Sequence, residues 1–308
     1  MPPLVMGVLN VTPDSFSDGG RWFNTEAAVA RGLEMVAEGA DVVDVGGEST
    51  RPGAGTVDEA EECNRVVPVI EALAPHVRVS VDTRKAVVAK AAVAAGATLV
   101  NDVSASLWEV AAAAGVGWVA MHMRGEPATM QHDPHYNDVV CEVRDMLVER
   151  AGQARQAGVE EVWVDPGIGF GKTVAHNLAL LRHLGTLADT GFPVMVGTSR
   201  KSFLGQLTGG APVGDRLEGS LATAAWAMTH GAAMVRAHDV AATAQLARLL
   251  AGGGQAPLPA SPQRQAGLRP ARNHPWQPPP AARTAGVETL HDVSTVSRQK
   301  ELEGFGGS

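Results

Sequence analysis

Cysteine is scarce in this chain: two among 308 residues, Cys63 and Cys141, far apart and without metal-ligand spacing. That excludes a disulfide framework; both thiols fall in helical patterns and are expected to be buried and reduced. Positive charge is also short. The 25 Lys and Arg against 33 Asp and Glu leave a net charge of −8, so no general attraction to nucleic acid or to an anionic membrane is expected. No uncharged apolar run reaches membrane-spanning length. The opening MPPLVMGVLN lacks the basic and long apolar regions of a secretory leader. A cytoplasmic location is the expectation. Aliphatic residues thin out near the end, where residues 251–308 hold 8 of the 19 prolines. The chain therefore divides into residues 1–252, one folded domain, and a Pro-rich tail at 253–308 that is expected to be disordered.

What the chain does have is a regular alternation. Apolar runs stand at 4–9 (LVMGVL), 41–45 (DVVDV), 77–82 (VRVSVD), 97–102 (ATLVND), 117–123 (GWVAMHM), 162–165 (VWVD), 192–197 (FPVMVG) and 232–237 (AAMVRA). Helical periodicity follows each of them, at 25–38, up to about 74, at 85–96, 107–114, 138–157 and 174–187, then up to Gly231 and to about 250. Thr56 and Glu59 have the spacing of a capping box for the second helix. Runs that do not alternate, separated by helices, imply parallel strands covered on both faces. Eight such units in roughly 250 residues predict an α/β fold, the (β/α)8 TIM barrel. Periodicity does not report closure, so an open doubly wound sheet is the alternative.

The stretch VWVDPGIGFGKT (162–173) stands out. A buried run ends at Asp165, Pro166 stops any helix, and Gly167, Gly169 and Gly171 free the backbone for positive φ and close approach to a ligand. It is not a P-loop, because Pro166 occupies the place of the first glycine, and Lys172 breaks the dinucleotide fingerprint. A carboxylate reading a ligand fits better than a loop cradling phosphate.

In a barrel the carboxyl ends of the strands share one mouth. The residues there are Asn10, the Glu48–Arg51 loop, Asp82, Asn101, Met121 with His122, Asp165, Lys201, and Arg236 with His238. Singly, each could cap a helix or satisfy a core bond; nearly every strand ending in a polar group points to a site. Asp82, Asn101 and Asp165 suit a planar heterocycle rich in N–H donors. Arg236, His238 and Arg51 suit a diphosphate. Asn10 offers a neutral oxygen for Mg²⁺, and Lys201 is placed to touch both partners. Arg200 and Lys201 open a helix, where cations oppose the dipole, so at least one is expected to serve the site.

The segments MGVLNVTPDSFSDGG (6–20), DVVDVGGESTRPGA (41–54), VSVDTRKA (79–86), VNDVSA (100–105), VDPGIGFGKT (164–173), VGTSRKSFLG (196–205) and VRAHDV (235–240) together closely resemble the dihydropteroate synthase family, in order, over about residues 4–250. The resemblance implies the barrel fold, Mg²⁺, and a homodimer. It also implies condensation of 6-hydroxymethyl-7,8-dihydropterin diphosphate with 4-aminobenzoate in folate synthesis. By the same resemblance Asp82, Asn101, Asp165 and Lys201 look like pterin contacts, with Met121 lining the pocket. Asn10 looks like the Mg²⁺ contact, and Thr50, Arg236 and His238 like diphosphate contacts. Arg51, Pro52, Phe170 and Ser199 look like the wall around the aminobenzoate. Asp82, Lys201 and Arg236 are the expected catalytic groups.

Two other readings compete. A pterin-binding domain of a corrinoid methyltransferase would need neither Lys201 nor the Arg236–His238 pair. An inactive paralogue serving as a binding partner should have eroded in STRPG, SRK or RAHD, and all are intact.

Overall fold

The eight apolar runs form β1 (Leu4–Asn10), β2 (Val42–Gly46), β3 (Arg78–Asp82), β4 (Leu99–Asp102), β5 (Gly117–Met121), β6 (Val162–Asp165), β7 (Val194–Val196) and β8 (Ala232–Ala237). In the computed structural model they pair in parallel in sequence order, and Leu4 opposite Met234 with Val5 opposite Val235 closes β8 onto β1. The sheet is a closed (β/α)8 TIM barrel, and the open-sheet alternative is excluded. Residues 2–12, 21–49, 55–127 and 129–252 are described, with backbone only at 21–24. Thr50, Arg51, Pro52 and the tail from 253 lie outside the described residues.

Period-two alternation sends each strand's side chains to two different cores. Met6, Val42, Leu99, Val119, Trp163, Met195 and Met234 cluster inside the barrel. Val43, Val45, Val79, Val81, Val100, Val164 and Val235 join a second, larger cluster with helix residues such as Val66, Ile70, Leu73, Val88 and Leu147. Both faces being buried explains why the runs are continuously apolar. Each fully buried aliphatic side chain contributes about 1.5–3 kcal/mol, as an upper figure.

The covering helices are α1 (Arg21–Glu38), α2 (Glu59–Leu73), α3 (Ala86–Ala94), α4 (Trp108–Ala114), α5 (Val139–Gln156), α6 (Val174–Arg182), α7 (Leu184–Ala188), α8 (Ser202–Leu207), α9 (Leu217–Thr229) and α10 (Val240–Leu250). Among the described residues no helix is long and apolar enough to cross a membrane.

Three local expectations need correcting. The second helix is capped by Asp58, which accepts from Glu61 N at 3.0 Å. Thr56 stays outside it, because Val57 N is already bonded to Glu48 Oε2 at 2.8 Å. A capping box does form at α6, between Thr173 and His176. The pattern at 174–187 is two helices, broken at His183 with φ −107° and ψ 26°. Cys63 and Cys141 are free but only half-buried, each on the flank of its helix's apolar stripe.

Candidate active site

Register brings the polar strand ends to one level. Asn10 lies opposite Gly46, Gly46 opposite Asp82, Asp82 opposite Asn101, and Met121 opposite Asp165. At the end of β4 the alternation divides two neighbours. Asn101 is buried on the mouth side, while Asp102 binds the backbone N–H groups of Ser104, Ser106 and Leu107 and fixes the following loop.

Arg236 sits deeper, opposite Met6 on β1. Its guanidinium donates from Nε to Asp44 Oδ2 and from Nη2 to Asp82 Oδ2, both at 2.7 Å. Asp44 Oδ2 also accepts from Asn101 Nδ2 at 2.9 Å. Burial opposes the charge on Arg236, but Asp44 and Asp82 more than offset it and raise its pKa. Burial pushes the Asp82 carboxyl up to about 7, against the pull of Arg236 and with Asp44 pushing the same way. The buried side-chain oxygens left unpartnered among the described residues are Asp44 Oδ1, Ser80 Oγ, Asp82 Oδ1 and Asn101 Oδ1. All four belong to neighbouring strands at the mouth or one layer below it. Unpartnered buried acceptors cost about 1–3 kcal/mol each, so a row of them in one place is a socket for N–H donors.

Asp165 closes the opposite wall. Its Oδ1 accepts from Gly167 N at 2.7 Å, so one oxygen is spent locally on a turn. Burial raises its pKa, and nearby Lys201 works the other way. Lys201 donates to Ile168 O and lies 4.6 Å from the centroid of the Phe170 ring. Burial lowers Lys201 to about 8, with Asp165 opposing the shift. Gly169 makes room for it: a Cβ there would lie 3.1 Å from Lys201 Cδ. Arg200 serves no such purpose. Its Nε donates to Asp239 Oδ2 at 3.0 Å, so of the two cations only Lys201 joins the mouth.

On the far side Ser199 Oγ accepts from His238 N at 3.1 Å and lies 3.0 Å from His238 Nδ1, coupling the strand 7 loop to the strand 8 loop. Met121 is buried beside Asp165. Glu48, at the edge of the site on paper, is used structurally: it bonds Val57 N, Lys85 and Arg84.

Two residues that matter were not singled out from the sequence as site residues. Asp44 interrupts a valine run, and a buried charge there must have partners; that was its available signal. Lys172 served only to rule out a nucleotide fingerprint. Its ammonium is enclosed by His122 Nδ1 at 3.0 Å, His122 O at 3.3 Å, Gly167 O at 3.0 Å and Phe170 O at 2.9 Å. Gly167 and Gly171 have the positive φ expected of them, 63° and 62°, and both come close to neighbouring backbone. A Cβ at Gly167 would lie 1.8 Å from His122 O, and one at Gly171 2.2 Å from Arg124 O.

Among the described residues no three His, Cys, Asp or Glu side chains form a metal cage. Asn10 Oδ1 comes near the end of β3: a Cβ added at Gly46 would lie 3.8 Å from it and 3.7 Å from Asp82 Oδ2. One neutral oxygen at the mouth fits Mg²⁺ held mostly by water and substrate oxygens.

The family model for pterin binding enzymes matches residues 6–238. The dihydropteroate synthase of Mycobacterium leprae is 49% identical over 256 residues, covering 79% of this chain and 90% of that protein. The Xanthomonas albilineans dihydropteroate synthase solved with 4-aminobenzoic acid is 47% identical with a TM-score of 0.77, covering 83% of this chain and 94% of that one. The same enzyme in complex with 7,8-dihydropteroate gives 45% identity and a TM-score of 0.74, over 83% of this chain and 95% of that one. On these matches the chain belongs to the dihydropteroate synthase family of pterin-binding enzymes.

Proposed function

We propose that the barrel mouth condenses 6-hydroxymethyl-7,8-dihydropterin diphosphate with 4-aminobenzoate, giving 7,8-dihydropteroate and diphosphate in folate biosynthesis. One observation carries the assignment of the pocket. The row of unpartnered acceptors, Asp82 Oδ1 and Asn101 Oδ1 above Asp44 and Ser80, matches the N–H edge of a pterin and nothing in the protein.

The pterin then lies among Asp82, Asn101, Asp165 and Lys201, with Met121 beneath it. Its diphosphate extends toward Arg236 and His238, and the resemblance alone adds Thr50 to these contacts. The C–O bond from the exocyclic methylene breaks first, and its electron pair leaves with the diphosphate. Arg236 can stabilise that charge through the same fork that now holds Asp82. The positive charge left on the pterin is stabilised by the Asp82 carboxylate. The amine nitrogen of 4-aminobenzoate forms the new C–N bond and releases its proton to solvent. Phe170 and Ser199 wall the aminobenzoate subsite, to which the resemblance alone also assigns Arg51 and Pro52. Asn10 would hold Mg²⁺, which when bound neutralises part of the diphosphate charge. Lys201 and the Arg236–His238 pair favour this chemistry over pterin binding alone.

A homodimer is part of the same proposal. α9 and α10 expose Leu217, Trp226, Leu249 and Leu250, apolar area of the kind a subunit contact covers. The function is tested by dihydropteroate formation from the two substrates, with and without Mg²⁺, on protein of measured sedimentation mass. Absence of product with both substrates present would overturn the assignment.

A further inference from the structure

Asp44 is 0% exposed in the middle of β2, one residue layer below the mouth, opposite Ser80 while Gly46 lies opposite Asp82. A charge buried among valines is costly unless it is paired, and its hydrogen bonds show what it is paired with. Asp44 Oδ2 receives both Asn101 Nδ2, at 2.9 Å, and Arg236 Nε, at 2.7 Å.

An ionised carboxylate only accepts. Asn101 must therefore turn its NH₂ toward Asp44, because the reverse orientation would set two oxygens against each other. The amide oxygen is then left on the other arm, and Asn101 Oδ1 is buried without a partner. An asparagine by itself could offer a ligand either a donor or an acceptor; with Asp44 behind it, only the acceptor is available. The same carboxylate grips Arg236 by Nε, leaving the outer nitrogens of the fork, one of them now on Asp82.

We infer that Asp44 is a positioning residue. It sets the amide of Asn101 so that this residue presents only its oxygen to the mouth, and it anchors Arg236 at the inner end of its fork. This rests on the reading of the mouth as a pterin site.

The test compares wild type with Asp44→Asn, Asn101→Asp and the double exchange Asp44→Asn/Asn101→Asp. Calorimetric binding of 6-hydroxymethylpterin is measured beside thermal unfolding and both substrate KM values. With Asp44→Asn the amide at 101 is free to turn, and pterin affinity falls about tenfold or more while the KM for 4-aminobenzoate stays within about twofold. Asn101→Asp sets two carboxylates face to face and loses at least as much. In the double exchange the new amide at 44 donates to the new carboxylate at 101 and can still accept from Arg236, so pterin affinity returns to within a few-fold of wild type.

Rescue of that kind cannot come from packing alone. Wild-type affinity in Asp44→Asn or Asn101→Asp, or a double exchange no better than the single changes, overturns the inference. A wild-type chain that binds no pterin overturns the reading of the mouth, and the inference with it.

Discussion

Two lysines flank the loop after β6, Lys172 buried and Lys201 half-buried, and they differ in what surrounds their ammonium groups. Lys172 is fully enclosed, with two backbone loops supplying three carbonyl oxygens and an imidazole nitrogen. Lys201 has one carbonyl acceptor among the described residues, Ile168 O, and otherwise faces the Phe170 ring and the Asp165 carboxylate. Burial lowers both, Lys172 to about 7 and Lys201 to about 8. The pKa shift therefore does not separate a structural lysine from a functional one. Coordination differs: Lys172 spends its donors on the protein, and the proposed site would use those that Lys201 has left.

Lys172 also explains its neighbours. Burial and the adjacent ammonium push His122 down to about 3, so its ring is neutral and Nδ1 can accept from Lys172. Tyr136 donates to Gly171 O at 2.9 Å and Gln131 to Gly169 O at 2.6 Å, so the loop after β5 braces the loop after β6 from outside. The braced loop holds Asp165, Gly169 and Phe170 in place for Lys201.

The sharpest break in this comparison is Lys201→Ala. Turnover should drop by about 10²–10³, as expected when a preorganised charged donor is removed from a reacting centre, while the melting temperature moves by no more than a few degrees. Steady-state rates with both substrates and a thermal melt check it. Activity within a few-fold of wild type would place Lys201 with Lys172 as a structural group.

Lys172→Met should do the reverse. It strands three carbonyl oxygens and His122 Nδ1, at about 1–3 kcal/mol for each buried group left unpaired, partly returned because no ammonium is buried any longer. A net loss of about 3 kcal/mol in urea unfolding is expected, with the remaining folded enzyme keeping most of its turnover. A stable but inactive variant would show that Lys172 reaches the chemistry.

Asp165→Asn is smaller. One of its oxygens is committed to Gly167 N, so only the other arm changes from acceptor to donor toward the pterin. A loss of about 1–3 kcal/mol in pterin affinity is expected, roughly ten- to a hundredfold. Calorimetric titration measures it; unchanged affinity would leave Asp165 as a turn-forming residue only.

How much of this was legible follows from the kind of signal each feature leaves. Eight buried strands leave eight apolar runs, and a shared mouth leaves Asn10, Asp82, Asn101 and Asp165 at their ends, so the fold and the placing of these residues could both be read. Asp44 looked like part of a strand because alternation does not say which layer a residue occupies. The pairing that gives it meaning joins residues 57 and 192 positions away. The role of Lys172 is hidden for the same reason: the carbonyl oxygens it meets belong to backbone, and backbone positions have no signature in residue identity. The split at His183 and the cap at Asp58 turned on local hydrogen-bond competition that periodicity averages away.

The remaining expected effect is on pH dependence, and in the wild type it tests the mouth without changing its shape. Asp82 is raised from 3.8 to about 7, chiefly by burial, with Asp44, Glu62 and Asp102 adding to the rise and Arg236 resisting it. A carboxyl whose folded value exceeds its unfolded one holds its proton more tightly when folded. Its contribution to stability is therefore complete below about 3.8 and lost as pH rises through about 7. Activity runs the other way, because only the ionised form can stabilise a cation on the pterin. The kcat/KM for the pterin diphosphate should then fall about tenfold per pH unit below about 7, roughly 1.4 kcal/mol for each unit. On the alkaline side Lys201, lowered to about 8, should add a descending limb. Lys201→Arg should remove that limb within the accessible range and leave the acid limb in place, since arginine does not deprotonate there. Asp82→Asn should abolish the acid limb together with most of the activity, and flatten the dependence of melting temperature on pH between about 4 and 7. A kcat/KM that is flat from about pH 5.5 to 7.5 in the wild type would show that Arg236 keeps Asp82 ionised throughout. Asp82 would then stand ionised at the mouth before any pterin arrives, an acceptor whatever the pH in that range.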